Sequence, residues 1–159
     1  MSFTDNKSTD RKLRIERVSE DHITQIAEIE KECFSEPWSE SSLALLCTDA
    51  YPSFALCREN GEVIGYIGTT RTLDELQIIN VAIKKEYRRQ GLGRALLRAL
   101  DEYCFENGIS SVSLEVRCSN TAAISLYESL GYLAVGTRKG FYRFPAEDAK
   151  IMVKSFADK

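Results

Sequence analysis

The stretch Ile83-Lys84-Lys85-Glu86-Tyr87-Arg88-Arg89-Gln90-Gly91-Leu92-Gly93-Arg94-Ala95-Leu96-Leu97 constrains this chain more than any other. It leaves an apolar strand, turns through a basic segment with two closely spaced glycines, and enters an amphipathic helix. Gly91 and Gly93 at the helix start let the backbone approach a ligand, and the free N–H groups there, with the helix dipole, form an anion site. Arg88, Arg89 and Arg94 add charge that suits phosphate, so a phosphorylated ligand is the natural guest. No Gly-Lys-Ser/Thr ends the turn, which excludes a Walker loop, and Leu96 stands where the dinucleotide fingerprint has its third glycine. Nucleotide hydrolysis and hydride transfer therefore lose support. On the glycines alone, a tight turn with solvated arginines is an equal reading, and the surrounding elements must decide.

Those elements read in a definite order. Residues 13–18 alternate apolar and polar like a half-buried strand, and Ile23, Ile26, Ala27, Ile29 and Glu30 then recur with helical spacing. Pro37 ends that helix, and Ser39 N-caps a short second one through Leu43 and Leu46. A strand over 53–58, the turn signal Asn60-Gly61, a strand over 63–70 and another over 76–83 make an antiparallel meander. Beyond the glycine turn the pattern predicts a helix over 92–106 stopped by Gly108, a strand over 110–117, and a helix over 120–130 capped by Gly131. Strand, helix, strand implies one parallel pair. Strand-like runs at 132–137 and 149–156 close the chain, so the fold class is α+β or mixed α/β. With 159 residues, one domain over 13–159 is expected, behind a mobile polar tail at 1–12.

Composition removes several classes of function. The 21 basic residues nearly balance 24 acidic ones, and a net charge of -3 leaves no broad footprint for nucleic acid or an anionic membrane. No apolar run approaches the roughly 20 residues of a spanning helix, and the opening residues lack the apolar core of a signal peptide, so a cytoplasmic location is expected. Cys33, Cys47, Cys57, Cys104 and Cys118 include no Cys-x-x-Cys pair, which argues against both a disulfide framework and a zinc site. They read as reduced, mostly core residues, Cys118 among them as a small packed side chain. The single histidine, His22, lies in a Glu-Asp-His stretch and reads as a solvated surface residue. No metal is expected.

Arg88-x-x-Gly91-x-Gly93 after a buried strand resembles the Gln/Arg-x-x-Gly-x-Gly/Ala signature of the GNAT N-acetyltransferases. The resemblance extends over residues 13–156 in element order. It implies acetyl-CoA as cosubstrate, and a mostly antiparallel central sheet with one parallel, diverging strand pair, flanked by helices. It also implies that the turn Arg88, Arg89, Gln90, Gly91, Leu92, Gly93 and Arg94 holds the pyrophosphate, while main-chain groups of Asn80, Val81 and Ala82 meet the pantetheine arm and thioester.

Along 110–117, Val112, Leu114 and Val116 share one face and Ser113, Glu115 and Arg117 the other. Glu115 therefore points away from the core, either solvated and paired with Arg117 or facing a cleft. In the next helix Tyr127 sits at the edge of the stripe Ala123, Tyr127, Leu130, as core or as a hydroxyl seeking a polar partner. The run Leu114-Glu115-Val116-Arg117-x-Ser119-Asn120-x-Ala122-Ala123-Ile124-x-Leu126-Tyr127-Glu128-x-Leu130-Gly131-Tyr132 closely resembles the bacterial ribosomal-protein-alanine acetyltransferases within that family. Phe34-x-x-Pro37-Trp38-Ser39 and Glu147-Asp148-Ala149-x-Ile151-Met152 fit as well.

That closer resemblance implies Glu115 as general base, Tyr127 as general acid and Asn120 as a cofactor contact. The acceptor would be the N-terminal alanine of a basic small-subunit ribosomal protein, with no direct contact to nucleic acid or membrane; oligomeric state stays open. Glu32, Glu36 and Glu40 flank Trp38 and either line an acidic acceptor groove or, the preferred reading, form solvated surface. Where Asn-Tyr-Tyr is common in the relatives, this chain has Gly140-Phe141-Tyr142, then a short loop at 143–146. Tyr142 is an acceptor contact or a cover over Tyr132. Two alternatives stand beside this reading. One is acetylation of another amine: a different protein N-terminus, lysine, a polyamine or an antibiotic. The other is a silent acyl-CoA-binding module, against which the presence of both Glu115 and Tyr127 argues.

Overall fold

Alternation decides which layer each strand residue enters. The computed structural model describes residues 2–4 and 12–156. Strands β1 (Ser2–Thr4) and β2 (Lys12–Arg17) precede helix α1 (Glu20–Cys33) and the short α2 (Glu40–Leu43), which tightens into a single 3-10 turn at Ala44–Cys47. The meander is β3 (Phe54–Arg58), β4 (Val63–Thr72) and β5 (Glu75–Ile83); α3 (Leu92–Glu106), β6 (Ser111–Arg117), α4 (Thr121–Ser129), β7 (Leu133–Arg143) and β8 (Ala146–Ser155) complete the chain. All eight strands join one sheet in the order β1-β2-β3-β4-β5-β6-β8-β7. Only β5 and β6 run parallel, as the strand-helix-strand pattern requires.

Leu56 faces a cluster built on Leu92, Leu96, Leu97 and Leu100 of α3 with Ile124 of α4. Its neighbours Ala55 and Cys57 face the opposite cluster with Ile23, Ile26, Ala27 and Ile29 of α1. The sheet thus lies between α1/α2 and α3/α4, and β4, buried on both faces over Val63–Thr69, is its centre. No helix among the described residues is long and apolar enough to cross a membrane.

Two irregularities distort the sheet around β5. Gly68 pairs with Asn80 but Thr69 pairs with Ile78, so Ile79 is an extra residue that bulges the strand. In addition β5 and β6 pair only as Glu75 with Ser111, Leu76 with Val112 and Gln77 with Ser113; beyond these the two strands splay apart.

Several expectations need correction. Ser2–Thr4, expected within a mobile tail, pairs antiparallel with β2, since main-chain bonding to an open strand requires no buried side chain; residues 1 and 5–11 of that tail lie outside the described residues. His22 is buried, with 6% exposure, not solvated: Ser19 N donates to its Nδ1 at 3.0 Å and its Nε2 meets Glu16 Oε2 at 2.8 Å. A polar side chain enters the interior there because it closes the N-terminus of α1 as a capping residue. Cys118 is exposed and Cys33 and Cys47 are half-buried, while Cys57 and Cys104 are buried; Cys118 falls just beyond the packed strand β6. The last hairpin is longer than the 132–137 and 149–156 runs, because pairing resumes at Tyr142 with Glu147 and Arg143 with Ala146 after an irregular stretch.

Candidate active site

The splay of β5 from β6 opens a cavity of about 720 Å³, within the usual range for small-molecule sites. Ile78, Ile79, Asn80 and Val81 of β5 form one wall, and Leu114, Glu115, Val116 and Arg117 of β6 the other. Asn120, Ala123 and Tyr127 of α4 lie along it, Phe34, Glu36 and Trp38 come from the link between α1 and α2, and Phe141, Tyr142 and Phe144 from the β7–β8 hairpin. Because β5 has no neighbour on the β6 side after Gln77, alternate main-chain groups of its second half have no strand partner there; the Ile83 carbonyl is taken by side chains instead.

The cavity brings together Asn80, Val81, Glu115, Asn120 and Tyr127 of the residues expected at a site. Ala82 does not line it: its side chain is buried in the α1 cluster, which leaves only its main chain for a ligand. The Asn80 side chain likewise turns inward, its Nδ2 donating to Glu30 Oε2 at 3.0 Å.

Glu115 is held from two sides. Gln77 Nε2 donates to Oε1 at 2.9 Å and Arg138 Nη1 to Oε2 at 2.9 Å, and the carboxylate is only 13% exposed. The expected partner, Arg117, instead donates to the carbonyls of Phe144 and Pro145 and to Glu147, while its guanidinium lies 4.2 Å from the Tyr142 ring centroid. Tyr142 thus belongs to the cavity wall rather than to a cover over Tyr132. Tyr127 packs edge-on against Tyr132 with centroids 5.6 Å apart. Its hydroxyl makes no hydrogen bond among the described residues, and burial, reinforced by Tyr142, pushes its pKa up to about 12. It therefore keeps its proton at neutral pH. Asn120 caps α4 by accepting from Ala123 N at 3.2 Å, while Glu147 accepts from Ser119 N at 2.6 Å and fixes the approach to that cap. The Ser119 hydrogen bonds, with Arg117, hold the Glu147 carboxyl below its ordinary pKa.

The glycine turn lies outside the cavity lining. Gly91, at φ +76°, is the N-cap of α3, and Arg89 shares the left-handed conformation at φ 66°. A side chain at Gly91 would meet nothing, and one at Gly93 only Leu126 at 3.7 Å, so the space above this helix start is open to a ligand. Two of the arginines are already engaged: Arg88 Nε donates to the Ile83 carbonyl at 3.0 Å and its Nη2 to Cys33 Sγ at 3.1 Å, and Arg94 Nη2 donates to Ser129 Oγ at 3.0 Å. Leu92 is core and offers only its backbone. Of the three glutamates near Trp38, Glu36 alone lines the cavity; Glu32 accepts from Lys85 N at 2.7 Å and Glu40 from Thr24 Oγ1 at 3.3 Å.

Four polar residues around the site carry no role in the sequence reading: Gln77 appears only within a strand run, Glu30 only on a helical stripe and Glu147 only within a matched run, and Arg138 is absent from it. Arg138 reaches Glu115 across the intervening strand β8, a contact that no local spacing encodes.

A sheet sprung open between its only parallel pair, beside a helix that starts at a glycine turn, is the architecture of acyl-CoA N-acyltransferases. The chain belongs to the acetyltransferase (GNAT) family, whose pattern it matches over residues 23–132. It is 41% identical over 126 residues to the ribosomal protein bS18-alanine N-acetyltransferase of Escherichia coli (strain K12), covering 78% of this chain and 84% of that one. A candidate enzyme of the same name from Bacillus subtilis (strain 168) is 39% identical over 147 residues, 92% of this chain and 94% of the relative. The crystal structure of the Escherichia coli ribosomal-protein-alanine N-acetyltransferase superposes with a TM-score of 0.85 at 36% identity, covering 92% of this chain and 96% of that one.

Proposed function

We propose that this protein acts in the cytoplasm as a single N-acetyltransferase domain over residues 13–159, transferring acetyl from acetyl-CoA to the α-amine of a protein N-terminal alanine. The acceptor we assign is a basic small-subunit ribosomal protein of the bS18 type, the substrate named for its relatives. The observation that carries the reading is the meeting of Glu115 and Tyr127 in one cavity, beside the unpaired half of β5.

The chemistry rests on the groups present. An α-amine with an ordinary pKa of about 7.7–8.0 is mostly ammonium at neutral pH. Glu115, oriented by Gln77 and Arg138, takes its proton directly or through a water and frees the lone pair for attack on the thioester carbonyl. Main-chain N–H groups of β5 around Val81 meet the negative charge that gathers on the carbonyl oxygen. Tyr127 donates its hydrogen to the departing sulfur. The phenolate left behind regains a proton through solvent as the acylated nitrogen loses its own, so the thiol leaves protonated and Tyr127 is restored. The α3 amides at Gly91, Leu92 and Gly93, with Arg89, receive the pyrophosphate, and Asn120 offers its free Nδ2. Holding amine and thioester together supplies the proximity that makes an enzyme-bound acyl group unnecessary.

The test is turnover of acetyl-CoA against a peptide beginning Ala-Arg, the same peptide N-terminally blocked, a lysine peptide and spermidine. Preference for the free terminus, lost on blocking, is expected. Activity confined to lysine or spermidine would replace the acceptor, and binding of acetyl-CoA without turnover on any of them would overturn the enzymatic reading.

A further inference from the structure

Glu30 is the only carboxylate among the described residues with 0% exposure. It lies on the inner face of α1, and no cationic side chain among the described residues pairs with it. Its Oε1 accepts from Trp38 N at 2.8 Å, and its Oε2 accepts from Asn80 Nδ2 at 3.0 Å and from the Tyr66 hydroxyl. Burying a carboxylate among neutral donors is costly, and an apolar side chain of that size would fill the same volume more cheaply. What Glu30 provides instead is connection. Its three donors come from β4, from β5 just past the Ile79 bulge, and from the irregular link between α1 and α2. Two of them, Asn80 on β5 and Trp38 on the link, line the cavity.

We propose that Glu30 is a positioning residue that sets the distance between strand β5, which offers its main chain to the thioester, and the link at 34–39, whose Glu36 gives the cavity an acidic wall suited to an acceptor ammonium, without touching either substrate. The proposal rests on the acetyltransferase reading of the cleft. Its effect is asymmetric. β5 is held by a ladder to β4 along its length, whereas the link has no strand partner and is tied by Phe34 N to the Glu30 carbonyl, by Ser35 Oγ to the Phe144 carbonyl at 2.9 Å, by the Ser39 cap of α2 and by the packing of Phe34 and Trp38 on the α1 cluster. When Glu30 is lost, the link moves and the strand stays.

The experiment pairs Glu30→Met, which keeps the length and removes both acceptor oxygens, with Glu30→Gln. The amide keeps one oxygen for Trp38 N, and its NH2 can donate to a rotated Tyr66 hydroxyl and a flipped Asn80 amide. The methionine variant should raise the KM for the Ala-Arg peptide by roughly tenfold or more while the KM for acetyl-CoA stays within about twofold; the glutamine variant should recover most of that loss. Equal KM values for the peptide in folded Glu30→Met and the parent would overturn the proposal, as would parallel rises in both KM values, which denote general loosening. Amide exchange gives a second readout that needs neither turnover nor a variant: Trp38 N–H, although on an irregular link, should exchange in the unaltered protein as slowly as the amides of β4. Rapid exchange at Trp38 also refutes the assignment. Absence of acetylation in the parent, by contrast, counts against the proposed activity and leaves the exchange result to judge Glu30.

Discussion

Replacing Glu115 by glutamine separates the chemistry of the site from its architecture. The amide retains one oxygen for Gln77 and loses the ion pair to Arg138, whose side chain is 55% exposed. With Arg138 in solvent but Glu115 only 13% exposed, the loss falls at the upper end of the roughly 0.2–1 kcal/mol of surface pairs, and for a domain of this size 1 kcal/mol moves the melting temperature by about 2–4 °C. The variant should therefore melt no more than a few degrees below the parent and bind acetyl-CoA with nearly unchanged affinity by calorimetry. Loss of a general base costs on the order of a hundredfold to ten-thousandfold in rate, or about 3–5 kcal/mol in the barrier at 1.36 kcal/mol per decade, several times the structural cost. Steady-state kcat/KM on the Ala-Arg peptide at pH 7 reads this directly. At pH 9 the acceptor amine, with a pKa near 8, is already mostly neutral, so the deficit should narrow by up to about tenfold. Turnover within threefold of the parent at pH 7 would refute the assignment of Glu115.

Tyr127→Phe removes a hydroxyl with no protein partner among the described residues, so stability should hold while turnover falls by about a hundredfold; near-parental kcat would dismiss the donor role. Gly91→Ala places a side chain in open space but at φ +76°, a backbone cost of about 1–2 kcal/mol. Thermal melting should show that loss and calorimetry a weakened acetyl-CoA complex, and normal affinity would remove the turn from pyrophosphate binding. Lys84, with Arg58, holds the Glu62 carboxyl below its ordinary 4.5, and the Ser119 hydrogen bonds, with Arg117, do the same for Glu147. With folded values depressed, the unfolded chain binds more protons in acid. Their contribution is thus full above about pH 4.5 and is lost as pH falls through the folded values. Melting temperatures should be level from pH 7 to 5 and drop below 4.5, and a curve flat to pH 3 would contradict the pairing.

The contrast between α3 and α1 shows what the sequence makes legible. Helix 92–106 has its bounds written in chemistry, with Gly91 before it and an apolar stripe along it, and the observed helix matches residue for residue. Glu115 could be placed on the non-core face of its strand by parity alone. Its partners could not: Arg138 lies two strands away in the sheet, and the nearer Arg117 is drawn off by Glu147, the hairpin carbonyls and Tyr142. Polarity misled at His22, because a polar letter signals solvent unless one knows which backbone groups need a partner; Glu30 falls on the apolar stripe of its helix by spacing, but the donors that meet it there are not legible. Trp38 N–H is such a group, and only the three-dimensional path brings it to a buried acceptor; the Ser19 N–H meets His22 three residues on, a local cap hidden in a stretch that reads as charged surface.

The separation of β5 from β6 after Gln77 also bears on how the molecule behaves when empty. A sheet ordinarily exposes two edges, here β1 and β7. The splay adds two half-edges inside the molecule, on the second half of β5 and on β6 beyond Ser113, where neither strand has the other as a ladder partner. Open edges invite pairing with foreign strands. A bound molecule that fills the gap therefore also shields the chain from self-association, and preparations stripped of it should be the ones that aggregate on storage.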